Sequence, residues 1–130
     1  MKDLARVDID RRDDVMIAHV VGEVDLSNVS EVRSSLSNQM ARELSCLLLD
    51  LSETTYLDST GVRLLFELAE QLQSRRQELR LIVSDTALVR RVLVLTQVGE
   101  QVPFHSSVAE ALDALDRRSR TGADTDQAEG

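Results

Sequence analysis

The chain has 130 residues, a formal net charge of −8 and 42% hydrophobic residues, a size and composition suited to one compact domain. The acidic charge argues against a nucleic-acid or anionic-membrane partner, because both require a basic surface. No apolar run approaches the ~20 residues that span a bilayer, and residues 1–14 alternate charges instead of forming a signal peptide, so a cytoplasmic location is expected.

The first predicted elements are two strands and a helix. Val7–Asp10 and Val15–Val21 are separated only by the polar turn Arg11–Asp14, which predicts an antiparallel hairpin. After this hairpin, Ser27 or Asn28 is expected to cap a helix. The apolar positions of that helix recur at helical spacing and are Val29, Val32, Leu36 and Met40.

The middle of the chain combines a buried strand with an amphipathic helix. Cys46–Leu51 is a short apolar run, which is typical of a strand buried on both faces. A helix is predicted over Ser59–Arg76. Its apolar face consists of Val62, Leu65, Leu68, Ala69 and Leu72.

A strand, a short helix and an edge strand are predicted next. Leu79–Val83 is an apolar strand, and Ser84–Thr86 supplies caps for a helix over Ala87–Leu95. Gln101–Phe104 is a candidate fifth strand. Its Pro103 has no N–H to donate, which places this strand at a sheet edge.

A final helix and a polar tail complete the predicted architecture. The helix begins after Ser106 or Ser107, and its apolar face consists of Val108, Ala111, Leu112 and Leu115. The domain is expected to cover residues 1–116, and residues 117–130 are expected to form a disordered polar tail. Strands that alternate with helices after a hairpin predict an α/β domain with a mixed, mostly parallel sheet of about five strands and about four helices.

The sequence lacks the residue patterns of common enzyme and metal sites. It has no glycine-rich phosphate loop, its only lysine is Lys2, and its cysteine and histidines lack the spacing of a zinc site. His19 and His105 belong to no motif that would pair them with a nucleophile, so both are interpreted as structural. Cys46 is predicted to be a buried, reduced thiol. We therefore expect no enzymatic activity, no metal and no cofactor.

Two aspartates stand between a strand and a helix, Asp25 and Asp58. If the two strands are neighbours, both acids lie at the sheet edge where open α/β sheets meet ligands and partners. Ser59 falls at a helix N-terminus, where a hydroxyl can cap the helix and a phosphate is tolerated. From these residues alone, the Asp58–Thr60 segment is either a simple helix cap or a switchable hydroxyl, and Gly61 is expected to leave room for another surface.

Two motifs resemble those of a known family. Gly22–Asp25 (Gly-Glu-Val-Asp) resembles a G-E-φ-D motif, where φ is apolar, and Leu57–Val62 (Leu-Asp-Ser-Thr-Gly-Val) resembles a D-S-[ST]-G-φ phosphorylation loop. With their spacing and the later Val89–Leu93 segment, residues 5–116 resemble a single STAS domain, specifically the stand-alone bacterial anti-sigma factor antagonists. The Val94–Gly99 segment departs from the pattern, because it lacks the usual glycine-apolar ending of the third helix.

The resemblance implies a regulatory interaction instead of catalysis. The unphosphorylated antagonist binds an anti-sigma factor that is also a serine kinase of the GHKL ATPase type, and a sigma factor is released for transcription. The kinase then phosphorylates the first hydroxyl after the aspartate, here Ser59, and a metal-dependent serine phosphatase resets the dissociated protein. The expected partner contacts are Asp25, Asp58, Thr60 and Gly61.

A second interpretation stays open within the same family. The chain would then be a STAS scaffold or ligand-sensing module in a multi-protein stress-signalling complex. Purification as a large assembly would distinguish this role from a one-to-one complex with a kinase.

Overall fold

Six strands and four α-helices alternate along the part of the chain that the structure describes. The structure is a computed structural model and describes residues 5–41 and 43–129, with side chains up to residue 118. The strands are β1 (Arg6–Arg12), β2 (Val15–Val24), β3 (Cys46–Asp50), β4 (Thr54–Leu57), β5 (Glu78–Ile82) and β6 (Phe104–His105). The helices are α1 (Val29–Gln39), α2 (Ser59–Ser74), α3 (Leu88–Leu95) and α4 (Val108–Glu129), with a 3-10 turn at Val98–Glu100.

The strands form one mixed sheet in the order β1-β2-β3-β5-β6, and β4 pairs with β2 off this path. Only β1 and β2 are antiparallel, so the expected α/β fold with an initial hairpin and a mostly parallel sheet is confirmed. The hairpin turn is shorter than expected, because Arg11 and Arg12 still pair with β2. Asp13 turns the chain with a φ of 55°. The strand predicted over Gln101–Phe104 is observed at Phe104–His105, directly after Pro103, and its position at the sheet edge agrees with the prediction.

Strand β4 is the element that the sequence analysis did not identify. The long strand β2 pairs first with β3 and then, from Gly22 onward, with β4. Gly22 lies at the register shift and has a φ of 103°, a conformation that glycine adopts without strain. Only the terminal residues of β4, Thr54 and Leu57, are buried. Such a short segment shows no alternation of apolar and polar residues, which explains why the pattern did not reveal it.

Two apolar layers cover the two faces of the sheet. The larger layer lies beneath α1, α2 and α3, and the smaller one lies beneath α4. Successive residues of β3 point alternately into these layers, Leu47 and Leu49 into the larger and Cys46 and Leu48 into the smaller. The prediction that this strand is buried on both faces is therefore confirmed.

Helix α4 extends much farther than the sequence analysis expected. Its backbone is helical to Glu129, and Gly130 lies outside the described residues. The disordered polar tail over residues 117–130 stays a prediction. Beyond Leu115 the helix is stabilised by polar side-chain contacts, including a hydrogen bond of 2.6 Å from the Arg118 guanidinium to the Glu78 carboxylate. The scarcity of apolar residues predicted disorder, but alanine, arginine and glutamate also favour a solvated helix.

Candidate functional site

The parallel pairing of β2 and β4 places Asp25 and Asp58 at the same edge of the sheet. Val24 of β2 is paired with Leu57 of β4, and each aspartate is the next residue of its chain segment. The Asp58 N–H donates to the Val24 carbonyl at 3.2 Å, and the Leu26 N–H donates to Asp58 Oδ2 at 3.0 Å. The two loops are thus hydrogen-bonded to each other, as the convergence of the two strands predicts.

Asp58 is the N-cap of α2. Its Oδ1 accepts hydrogen bonds from the N–H groups of Thr60 at 2.9 Å and Gly61 at 3.1 Å, and from the Thr60 hydroxyl. The Thr60 hydroxyl and these N–H groups, with that of Leu26, hold the pKa of Asp58 below its ordinary value and outweigh the effect of partial burial. One carboxylate therefore both caps α2 and fixes the neighbouring loop.

Asn28 stabilises the loop that carries Asp25. The Asn28 side chain is buried, accepts a hydrogen bond from the Asp25 N–H at 3.0 Å and donates one to the Glu23 carbonyl at 2.8 Å. Asn28 is the N-cap residue of α1 by position, but its side chain makes no cap hydrogen bond, which corrects the role expected for it. The Ser27 hydroxyl and N–H both donate to Asp25 Oδ1, at 2.5 and 3.0 Å. The sequence analysis did not identify Asn28 as the residue that holds the Asp25 loop through Glu23 and Asp25. The only signal in the sequence was a polar residue between two apolar segments.

The hydroxyl groups of Ser59 and Thr60 have different surroundings. Ser59 is the first residue of α2 and is exposed, and within the described part of the chain its hydroxyl has no hydrogen-bond partner. Thr60 is half-buried, and its hydroxyl donates to the Asp58 carboxylate. Of the two adjacent hydroxyls, only that of Ser59 is open to a second molecule.

Gly61 makes room for the core of this chain. It is buried, and a Cβ atom at this position would lie 2.9 Å from Leu57 Cδ2 and 3.4 Å from Val24 Cγ1. The space left by the absent side chain is thus taken up by the core of this chain, and a contact of Gly61 with a partner stays a prediction. Its backbone N–H still belongs to the site, because it donates to Asp58.

The histidines and the cysteine lie in structural contacts. His19 Nδ1 is 2.7 Å from Asp50 Oδ2, and His105 Nε2 is 2.9 Å from an Arg80 guanidinium nitrogen. Cys46 is buried as predicted, and burial raises the pKa of its thiol to about 12. Among the residues that the structure describes, no histidine, cysteine, aspartate and glutamate side chains group as metal ligands. No helix in the same residues is long and apolar enough to cross a lipid bilayer.

Known proteins share both the sequence pattern and the fold of this chain. A family model for the STAS domain matches residues 6–111. The anti-sigma-B factor antagonist of Listeria monocytogenes is 32% identical over 85 residues, which cover 65% of this chain and 75% of that protein. The crystal structure of an anti-sigma factor antagonist from Mycobacterium paratuberculosis has a TM-score of 0.76 at 24% identity, covering 85% of this chain and 92% of its own. The anti-sigma factor antagonist SpoIIAA in its unphosphorylated form has a TM-score of 0.70 at 18% identity, over 85% of this chain and 96% of its own.

Proposed function

The chain belongs to the STAS domain family and to its anti-sigma factor antagonists, and from this premise we propose that it controls a sigma factor through phosphorylation of Ser59. The unphosphorylated protein binds an anti-sigma factor that is a serine kinase of the GHKL ATPase type, and the sigma factor is released. Phosphorylation of Ser59 ends this binding. A metal-dependent serine phosphatase then restores the first state.

The difference between the two neighbouring hydroxyls carries the proposal. A kinase must bring the acceptor oxygen in line with the γ-phosphorus of ATP, so this oxygen has to be accessible. Ser59 is exposed, whereas the hydroxyl of Thr60 is held by the Asp58 carboxylate. Phosphorylation of Thr60 would break the hydrogen bond from its hydroxyl to Asp58, the cap residue of α2, but phosphorylation of Ser59 leaves this contact intact.

The chemical step makes this protein the substrate of the kinase. Ser59 Oγ forms a bond to the γ-phosphorus, the bond from that phosphorus to the β-phosphate oxygen breaks, and ADP leaves. The serine proton passes to a base of the kinase. ATP and magnesium are bound by the kinase, so we assign no catalytic residue to the antagonist, in keeping with a family of typically non-enzymatic regulators.

The charges around Ser59 explain how a phosphate would change binding without refolding the domain. A phosphoserine adds about −1.5 to −2 charge near neutral pH. The N–H groups of Thr60 and Gly61 are already bound to Asp58, so the new phosphate is left facing the partner beside the carboxylates of Asp58 and Asp25. Added bulk and negative charge at a closely packed contact weaken the complex.

Phosphorylation of matched variants tests the acceptor. The serine-kinase anti-sigma factors of the same genome are purified one by one and mixed with the antagonist, ATP and magnesium. Intact-mass spectrometry should show one added phosphate on the wild-type protein and on Thr60→Val, and none on Ser59→Ala. Thr60→Val is the control, because it keeps the branched shape of the side chain and replaces the hydroxyl with a methyl group that cannot accept a phosphate.

The same variants test the switch. Titration calorimetry with the kinase that phosphorylates the protein should show tight binding of Ser59→Ala and much weaker binding of the phosphorylated wild type. A phosphate that persists on Ser59→Ala and disappears from Thr60→Val would assign the acceptor to Thr60. Equal affinity of the phosphorylated and unphosphorylated forms would disprove the switch.

A further inference from the structure

The exposed large apolar side chains of the described residues lie on three neighbouring elements. Leu26 is 74% exposed in the loop after β2, and Tyr56 is 51% exposed on β4. The other three are on α3, where Leu88 is 73%, Val94 58% and Leu95 75% exposed. Helix α3 packs against β4, and β4 leads directly into Asp58 and Ser59. Helix α3 is therefore a neighbour of the strand that leads into the segment carrying Ser59.

Helix α3 presents a stripe with a defined composition. Leu88, Arg91 and Leu95 recur at i, i+3 and i+7, so they lie on one face of the helix, and all three are exposed. The opposite residues Val89 and Leu93 are buried in the core. The stripe lines a groove of about 400 Å³ beside the segment that leads into α3. We call these three residues the α3 stripe.

Charge distinguishes the two ends of this surface. The end near Ser59 carries Asp25 and Asp58, although the cap of α2 uses the carboxylate of Asp58. The α3 end carries Arg90 and Arg91, in a protein whose net charge is −8. The guanidinium of Arg90 lies 5.3 Å from the centroid of the Phe104 ring and 3.3 Å from the Asp85 carboxylate. Arg91, which belongs to the α3 stripe, is exposed to solvent.

We infer that the α3 stripe is a second docking contact for the protein that phosphorylates Ser59, and that it binds an apolar patch of this kinase flanked by acidic side chains. The inference rests on the proposed function. Because α3 packs on β4, one partner surface can touch the stripe and Ser59 together. A phosphate at Ser59 leaves the stripe unchanged, so the stripe sets affinity and choice of partner while Ser59 decides whether the complex persists.

A second copy of this chain fits the stripe less well than such a kinase. In a two-fold symmetric contact, Arg91 at the middle of the stripe would lie close to its own copy, and like charges in a closely packed interface are unfavourable. An acidic partner surface pairs with the same arginine favourably. Arginine is also enriched among the residues that contribute most of the binding energy of protein interfaces.

Steady-state phosphorylation kinetics separate docking from transfer. The variants are Leu88→Ser/Leu95→Ser, which removes the apolar anchors, and Arg91→Glu, which reverses the charge. The kinase is the anti-sigma factor that phosphorylates the wild-type protein. Both variants should raise KM, the double variant by roughly 10-fold or more, while kcat stays unchanged, because the stripe contributes to binding and not to transfer.

Arg12→Glu is the matched control. Arg12 is an exposed arginine paired with Val15, at the far end of β2 and about 30 Å along that strand from Asp25. Its variant makes the same change of charge and should leave KM unaltered. Thermal melting followed by circular dichroism shows whether each variant remains folded, and replacement of exposed leucines should leave the melting temperature within a few degrees of wild type.

The possible outcomes separate the two proposals. Unchanged KM for Leu88→Ser/Leu95→Ser, with normal phosphorylation of Ser59, overturns the docking contact and leaves the proposed function standing. If no kinase of the genome phosphorylates the wild-type protein, the proposed function fails and this inference fails with it. If sedimentation shows a wild-type dimer that the double variant converts to monomer, the stripe binds a second copy and the inference is wrong.

Discussion

Replacing Asp58 with alanine tests the central hydrogen-bond arrangement of the site. The substitution removes the acceptor for two N–H groups and one hydroxyl at the start of α2, and the acceptor for the Leu26 N–H. Loss of an N-cap side chain costs about 1 kcal/mol, within a range of roughly 0.5–2 kcal/mol. The hydrogen bond to Leu26 adds about 0.5–1 kcal/mol, since Leu26 is exposed and water can partly replace the lost acceptor.

The expected total is a loss of about 2 kcal/mol in the free energy of unfolding. For a domain of this size, a loss of that magnitude lowers the melting temperature by about 6–8 °C. Urea unfolding gives the free energy and calorimetry gives the melting temperature. Asp58→Asn should lose about half as much, because asparagine retains one oxygen acceptor and is itself a favourable N-cap residue.

Asp85→Ala is the control for removing an aspartate from a loop. Asp85 is exposed and forms one ion pair of 3.3 Å with Arg90, so its loss should change stability by less than about 0.5 kcal/mol. Equal stability of Asp58→Ala and Asp85→Ala would refute the assignment of Asp58 as a cap and as the tether of the neighbouring loop.

Three further predictions concern pH, backbone conformation and burial. Because the folded-state pKa of Asp58 is lowered, its stabilising contribution is present above the unfolded value of about 3.9 and is lost as pH falls through the folded value, so urea midpoints of wild type and Asp58→Asn should converge on acidification. Gly22→Ala places a side chain at a φ of 103° and should destabilise the protein by about 1–3 kcal/mol, measured by urea unfolding; an unchanged midpoint would contradict the bulge. Cys46 should not react with a thiol reagent in the native protein and should react fully in guanidinium chloride, since it is buried and its pKa is about 12; rapid native labelling would show that α4 does not cover it.

Much of the fold was predictable because its signals are local. The brief polar segment between the first two strands predicted the hairpin, and the apolar run at Cys46–Leu51 predicted a strand buried on both faces. Helical spacing of apolar residues located α2. Each of these patterns depends on neighbouring residues of the chain, and the structure confirms them.

Other elements depend on contacts between distant segments. Strand β4 exists because β2 is long enough to pair with a second strand after β3 ends, which no pattern within Thr54–Leu57 reveals. The helical backbone of residues 117–129 likewise follows a polar segment whose composition fits both disorder and a solvated helix. In both cases the local sequence is compatible with more than one conformation.

The sequence by itself determined that a hydroxyl follows an aspartate at the start of a helix, because this depends on residue order and on the preference of aspartate for N-caps. The family resemblance already favoured Ser59 over Thr60, but only the tertiary structure showed that the cap geometry holds the Thr60 hydroxyl and leaves Ser59 exposed. It likewise showed that Gly61 accommodates Leu57 of its own core. Accessibility and hydrogen bonding arise when β2, β4 and α2 pack together, and residue order alone does not specify them.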